Sequence, residues 1–146
     1  MANSTSTQIL VDGPRNVVVK FEGVLDTSDL SSTTVLDPAT LSAIDNAPGT
    51  LPTRLRIDKI VHNVEDTLSL NLFWDATTPV RIEEITGRGK QEYKDIGGLK
   101  NNAGTWSGGT FTPAAGYTGK ITATTQGWAA SGILSFSVTI YCVKQV

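Results

Sequence analysis

The sequence predicts an all-β fold: a single-domain antiparallel β-sandwich of jelly-roll type with at most one short helix. Three observations carry this. Leu68, Leu70, Leu72 and Trp74 recur at every second position, the period of a strand that buries one face. Leu134, Phe136, Val138, Ile140 and Cys142 repeat that pattern against Ser135, Ser137, Thr139 and Tyr141, as in a half-buried antiparallel strand. Roughly seven to nine such segments are separated by short turns, and one stretch alone reads as helical.

Size and composition bound the rest. At 146 residues the chain is one domain, able to bury roughly 70% of its unfolded surface. We assign a flexible N-terminal arm to residues 1–7 and the sandwich to residues 8–146. The apolar fraction of 39% with three Trp, three Tyr and four Phe supplies a core. A formal charge of −2 and a pI near 5.3 give no basic excess to neutralise phosphates, which argues against nucleic acid as a partner. No apolar run approaches the ~20 residues of a helical membrane span, so no membrane partner is expected. The opening M-A-N-S-T-S-T-Q lacks the cationic start and apolar stretch of a secretory signal, so synthesis in the cytoplasm is expected.

In chain order, Gln8–Val11 forms a short strand that ends in the turn Asp12-Gly13-Pro14-Arg15. Asn16–Leu25 follows as a strand with Val17, Val19 and Phe21 on its buried face, and Gly23 is a candidate bulge. Asp37 before Pro38 is a cap for the one short helix, stopped by Asn46-Ala47-Pro48-Gly49. Thr53–Val64 changes parity between Leu55/Ile57 and Ile60/His62/Val64, which predicts a bulge or a change of sheet. The turn Glu65-Asp66-Thr67 suggests antiparallel pairing of that strand with the strand containing Leu68–Trp74. Glu83-Glu84 marks Val80–Ile85 as an edge strand. Gly87-Arg88-Gly89-Lys90 reads as a tight turn leading to Gln91–Ile96. Residues 97–109, with five glycines in thirteen positions, read as a long irregular loop. Thr118–Thr125 and Ile133–Val143 complete the strands.

The chemistry is sparse. His62, the sole histidine, alternates with Ile60 and Val64 and reads as a packed or hydrogen-bonded residue at the core edge rather than a catalytic base. Cys142, the sole cysteine, reads as a buried inert thiol. Asp26 and Asp29 lack the ligand ladder of a calcium loop and suit turn bonding. Glu83 and Glu84 point to opposite faces, and Asp75 with Glu92 is a carboxylate pair that nothing favours. Gly87–Lys90 lacks phosphate-loop spacing. No catalytic, cofactor or metal residue is assigned, and an enzyme is not expected. Trp106, Phe111 and Tyr117 read either as a plug for the open end of the sandwich or as a binding surface.

Several stretches resemble a known family. V-D-G-P-R-N-V-V-V-K-F (11–21), R-I-D-K-I-V (56–61), N-L-F-W-D-A-T-T-P-V-R-I (71–82), G-R-G-K (87–90), G-G-L-K-N-N-A-G (97–104), G-K-I-T-A-T-T-Q-G-W (119–128) and the last strand are among them. Together they resemble small virion structural proteins of tailed bacteriophages, of the capsid decoration (cement) type. Trp106–Tyr117 departs from the pattern as a local insertion. The resemblance implies a non-enzymatic protein on the outer capsid surface that binds the major capsid protein and its own copies, with a trimer favoured. Asn3, Ser4 and Thr5 of the arm, with Trp106, Phe111 and Tyr117, are then the candidate partner interface. A tail, neck or head–tail connector protein is the alternative within the family. A carbohydrate-binding module using Trp106 and Tyr117 is the alternative outside it.

Overall fold

A computed structural model describes residues 3–44, 49–128 and 132–145. Among them are eleven strands: β1 (Ser4–Asp12), β2 (Asn16–Leu25), β3 (Thr33–Leu36), β4 (Arg54–Val64), β5 (Ser69–Trp74), β6 (Val80–Ile85), β7 (Arg88–Glu92), β8 (Gly104–Ser107), β9 (Thr110–Pro113), β10 (Ile121–Gln126) and β11 (Leu134–Gln145). One sheet has the order β1-β2-β11-β4-β7, the other β3-β10-β5-β6, and β8 and β9 form a separate hairpin. Without β1, the two four-stranded sheets β2-β11-β4-β7 and β3-β10-β5-β6 have the strand order of a jelly roll, antiparallel throughout.

The core lies between the sheets. Val17, Val19, Phe21 and Leu25 from β2, Leu70, Leu72 and Trp74 from β5, and Val138 and Ile140 from β11 are almost wholly buried. The parity change in β4 is a bulge. Cys142 faces Ile57 and Tyr141 faces Lys59, so Asp58 is the extra residue, and Ile57 and Ile60 both point inward. Arg56 Nε donates to Asp58 Oδ1 at 3.0 Å beside it.

Several sequence expectations change. The arm is strand from Ser4 on, with Ser4 opposite Val24 and Thr7 opposite Phe21; residues 1–2 lie outside the described residues. Ser and Thr hid this strand because it has no apolar face, yet the open edge of β2 satisfies its backbone. β4 and β5 do not pair. β11 and β7 occupy the two edges of β4, β10 and β6 those of β5, and the Glu65–Leu68 turn carries the chain across the sandwich. Gly23 is not a bulge, since its ladders to β1 and β11 are continuous. It is a close approach instead: a Cβ there would sit 2.7 Å from Phe136 Cζ. Gly87–Lys90 is not a turn throughout. Gly87 turns at φ 65°, and β7 begins at Arg88 and ends at Glu92, before a 3-10 turn over Lys94–Ile96.

The expected helix is one 3-10 turn, Pro38–Thr40, in which Asp37 Oδ1 accepts from Ala39 N at 3.0 Å. Of its expected stop, residues 46–48 lie outside the described residues. The edge role of β6 is as the charges predicted.

A buried ammonium fastens one end of the sandwich. Lys144, 5% exposed, donates from Nζ to Asp12 Oδ1 (2.6 Å), Gly13 O (2.6 Å), Ser42 O (2.8 Å) and Ser42 Oγ (3.0 Å). Asp12 in turn accepts from Ser42 N at 3.0 Å and Ser42 Oγ at 2.8 Å. Burial alone would raise the Asp12 carboxyl, but the Lys144 bond and charge and the Ser42 donors outweigh it and hold it below its ordinary 3.8.

Two predictions follow from this cluster. Asp12→Ala strands a buried ammonium and, with the Asp12 side chain itself 29% exposed, is expected to lower unfolding free energy by about 2–3 kcal/mol in a urea titration. Because the folded carboxyl titrates below its unfolded value, its stabilisation is complete above pH 3.8 and is lost as pH falls further. The stability gap between wild type and Asp12→Asn should therefore be widest near neutrality and narrow below about pH 4; a constant gap would contradict the assignment.

Candidate functional site

The structure brings the three candidate aromatics together. Trp106 on β8 pairs directly with Phe111 on β9. The two-residue connection is Gly108-Gly109, both at positive φ (56° and 79°), as a tight hairpin twisted with its strands requires. Residues 97–109 are thus not irregular throughout. The signal was in the sequence, since Gly-Gly between T-W-S and T-F-T is a hairpin turn. The Trp106 and Phe111 rings lie 5.0 Å apart and Phe111 and Tyr117 5.3 Å.

This cluster is turned onto its own chain. The Arg54 guanidinium sits 4.8 Å from the Trp106 ring centre and 5.3 Å from that of Phe111, and Lys100 Nζ lies 5.1 Å from Trp106. Trp106 Nε1 donates to Asn101 O at 2.9 Å and Tyr117 OH to Thr53 O at 2.8 Å. Burial pushes the Tyr117 hydroxyl up to about 12, against the opposing pull of Arg54. These contacts clamp the hairpin over the start of β4.

The arm residues lie elsewhere. Asn3 is a cap: its Oδ1 accepts from Asp26 N (2.8 Å) and Thr27 N (3.0 Å), and its Nδ2 donates to Ser28 O (3.0 Å). Ser4 and Thr5 line a groove of about 810 Å³ with Glu22, Val24, Asn63, Glu65, Asp66, Arg88, Ser135 and Ser137. This groove sits where β4 ends and the aromatic cluster where β4 begins, roughly 30 Å apart at the rise of an extended strand. The six candidates therefore fall at two places, not one.

Sequence reasoning missed the surface that joins them. The outward side of the five-stranded sheet is built in rows, because directly opposed residues of an antiparallel ladder share a face. One row runs Ser6–Glu22–Ser137–Asn63–Arg88, the next Gln8–Lys20–Thr139–Val61–Lys90, the third Val11–Val18–Tyr141–Lys59–Glu92. Opposite charges are paired within it: Lys20 to Glu22 at 3.8 Å and Lys90 to Glu92 at 3.5 Å, with Lys59 Nζ 4.4 Å from the Tyr141 ring centre. At ~4.8 Å between neighbours, the outer two of the five strands lie about 19 Å apart. The alternation of Ser135, Ser137, Thr139 and Tyr141 announced the central strip; the neighbouring strips depend on registers that no single strand encodes.

The reactive side chains make structural contacts, except that His62 Nε2 is buried without a hydrogen-bond partner. His62 is buried with Nδ1 3.0 Å from Gly87 O, as its spacing suggested. Cys142 is a buried free thiol, and burial, with the nearby Asp58 carboxylate, pushes its ionisation far above the ordinary range. Asp29 Oδ1 accepts from Thr125 Oγ1 at 3.2 Å and Trp128 N at 3.0 Å, tying its loop to the end of β10. Asp75 accepts from Thr118 Oγ1 at 2.6 Å, while Glu92 pairs with Lys90 on the other sheet, so the two carboxylates do not form one site. Tyr93 OH donates to Glu83 Oε2 at 2.7 Å, and burial followed by that carboxylate raises its ionisation. Among the described residues, no three His, Cys, Asp or Glu gather as metal ligands.

Comparison with protein-family models, with curated proteins and with solved structures finds no match to the chain.

If the aromatic cluster clamps the hairpin, Trp106→Ala should cost about 1–2 kcal/mol from the lost ring pair and cation contacts. Amide exchange of β8 and β9 should accelerate more than that of β11. Uniform acceleration across the chain would contradict a local clamp.

Proposed function

We propose that the chain is a non-enzymatic virion structural protein of a tailed bacteriophage, which binds the outer capsid surface as a decoration (cement) protein. Its partners are the major capsid protein and further copies of itself, as a homo-oligomer with a trimer favoured. The sequence resemblance supplies the class. The observation that carries the reading is the outward face of the five-stranded sheet. It is broad and mostly small or polar, with cations and carboxylates interspersed rather than the strong cationic excess a phosphate backbone calls for, and it offers donors and acceptors for many weak contacts over a wide area. The rigid sandwich beneath holds that face in place, and many weak contacts summed over a symmetric shell can stabilise it.

Trp106 and Phe111 pack under Arg54, Lys100 lies over Trp106 and Tyr117 stands edge-on to Phe111, which commits ring surface within the chain and favours this reading over a sugar-stacking platform. A map of intact particles should place the copies on the head exterior. Particles lacking the protein should release DNA at lower temperature, with added protein restoring them. Thr139→Trp, in the middle of the face, should reduce occupancy at least about tenfold, the effect of ~1.4 kcal/mol, without lowering the melting temperature of the free chain. Copies found at the tail or neck alone, or shells equally heat-stable without them, would overturn the proposal.

A further inference from the structure

The two sheets have four outer edges, and three are protected against strand addition. β7 carries Arg88, Lys90 and Glu92, β6 carries Arg81, Glu83 and Glu84, and β3 is four residues long. β1 differs. It spans nine residues, all exposed, and from Ser4 to Val11 has neither a charge nor a proline. Among the described residues it pairs with β2 alone, so its other edge offers free backbone donors and acceptors. Its apolar residues are also uncovered: Ile9 is 42% exposed, Leu10 47% and Val11 45%.

The strand overhangs the sandwich. Thr5, Thr7 and Ile9 stand opposite Gly23, Phe21 and Val19, which are buried, yet all three are exposed. The four-stranded sheet does not reach beneath them. A bulge at Leu10, where the register passes from Ile9 to Val11, marks the end of the regular ladder.

We propose that β1 is a self-pairing edge, through which two copies of the chain join antiparallel about a two-fold axis into one ten-stranded sheet. Any strand can meet its own copy in this way, but a charged one restricts the registers, because a charge at the axis meets its own like. The uncharged run Ser4–Val11 meets no such restriction, whereas β7 escapes it only in the register that sets Lys90 against Glu92 of the second copy. With the axis perpendicular to the sheet and centred on Thr7, Ser6 meets Gln8 of the second copy and Thr5 meets Ile9. Outward residues then meet outward ones and inward residues inward ones. The outer faces of the two copies become continuous, and the exposed Ile9 residues gain neighbours on the overhang.

A contact of one strand pair falls short of the ~1,200 Å² of total buried surface expected of a stable complex, so the affinity is micromolar or weaker. The contact is isologous and cannot close a trimer; it joins copies, or trimers, in pairs. It does not depend on the capsid reading and is tested on the free chain.

Sedimentation velocity of the free chain from micromolar to millimolar concentration should show its mass doubling. Deuterium exchange should slow along Thr5–Ile9 as concentration rises. Ser6→Lys with Gln8→Lys places four ammoniums around the axis and should weaken the association about tenfold or more, with recovery in high salt as the repulsion is screened. Within the chain Ser6→Lys faces Glu22 and Gln8→Lys faces Lys20, so one attraction and one repulsion offset each other and the melting temperature should hold; Val61→Lys, on β4 away from this edge, should associate as wild type does. No doubling of mass up to millimolar concentration would overturn the proposal. So would association that the two lysines leave unchanged, or that Val61→Lys weakens equally.

Discussion

The register of β11 is the constraint on which the rest depends. It is the last strand in the chain yet lies between β2 and β4, so neither the first long strand nor the fourth is completed until the C-terminal segment inserts. A slip of one residue would turn Phe136, Val138, Ile140 and Cys142 to the outside and Ser137, Thr139 and Tyr141 into the core. Two features pin it. Phe136 lies so close to Gly23 that a Cβ there would force its ring to move, and Lys144 reaches its four acceptors on the β1–β2 turn and Ser42. Both the sandwich interior and the rows of the outer face follow from that one alignment.

The alternation of single strands was legible in the sequence. Leu68–Trp74, Val17–Phe21 and Leu134–Cys142 bury the expected faces because one side of each is apolar and the period of two leaves no other assignment. The parity change between Ile57 and Ile60 bracketed an irregularity, a bulge or a change of sheet, and the register with β11 makes it a bulge at Asp58. What failed was pairing. The Glu65–Thr67 turn looked like a hairpin because a short link between two amphipathic strands serves a hairpin and a sheet-to-sheet crossing equally well. Which one forms depends on whether the strand edges are already occupied by β11, β7, β10 and β6, segments distant in sequence.

The candidate site was legible in the same partial way. Trp106, Phe111 and Tyr117 do cluster, but a side chain's type does not say what covers its ring; Arg54, far away in sequence, does. Ser4 and Thr5 read as a loose arm because they lack an apolar face, yet they form strand because β2 has an open edge. The outer face is the surface hardest to foresee, because its members come from five strands and share nothing but their position in the ladder.

A protein whose interior fixes its exterior in this way should use that exterior as a rigid whole. Radical footprinting of the chain, free and mixed with capsids as the proposed partner, tests this most directly, since Tyr141 and Trp106 report from the two competing surfaces. The account predicts that binding protects Tyr141 and its row neighbours and leaves Trp106 and Phe111 as reactive as in the free chain. Protection of Trp106 and Phe111 with Tyr141 unchanged would contradict it.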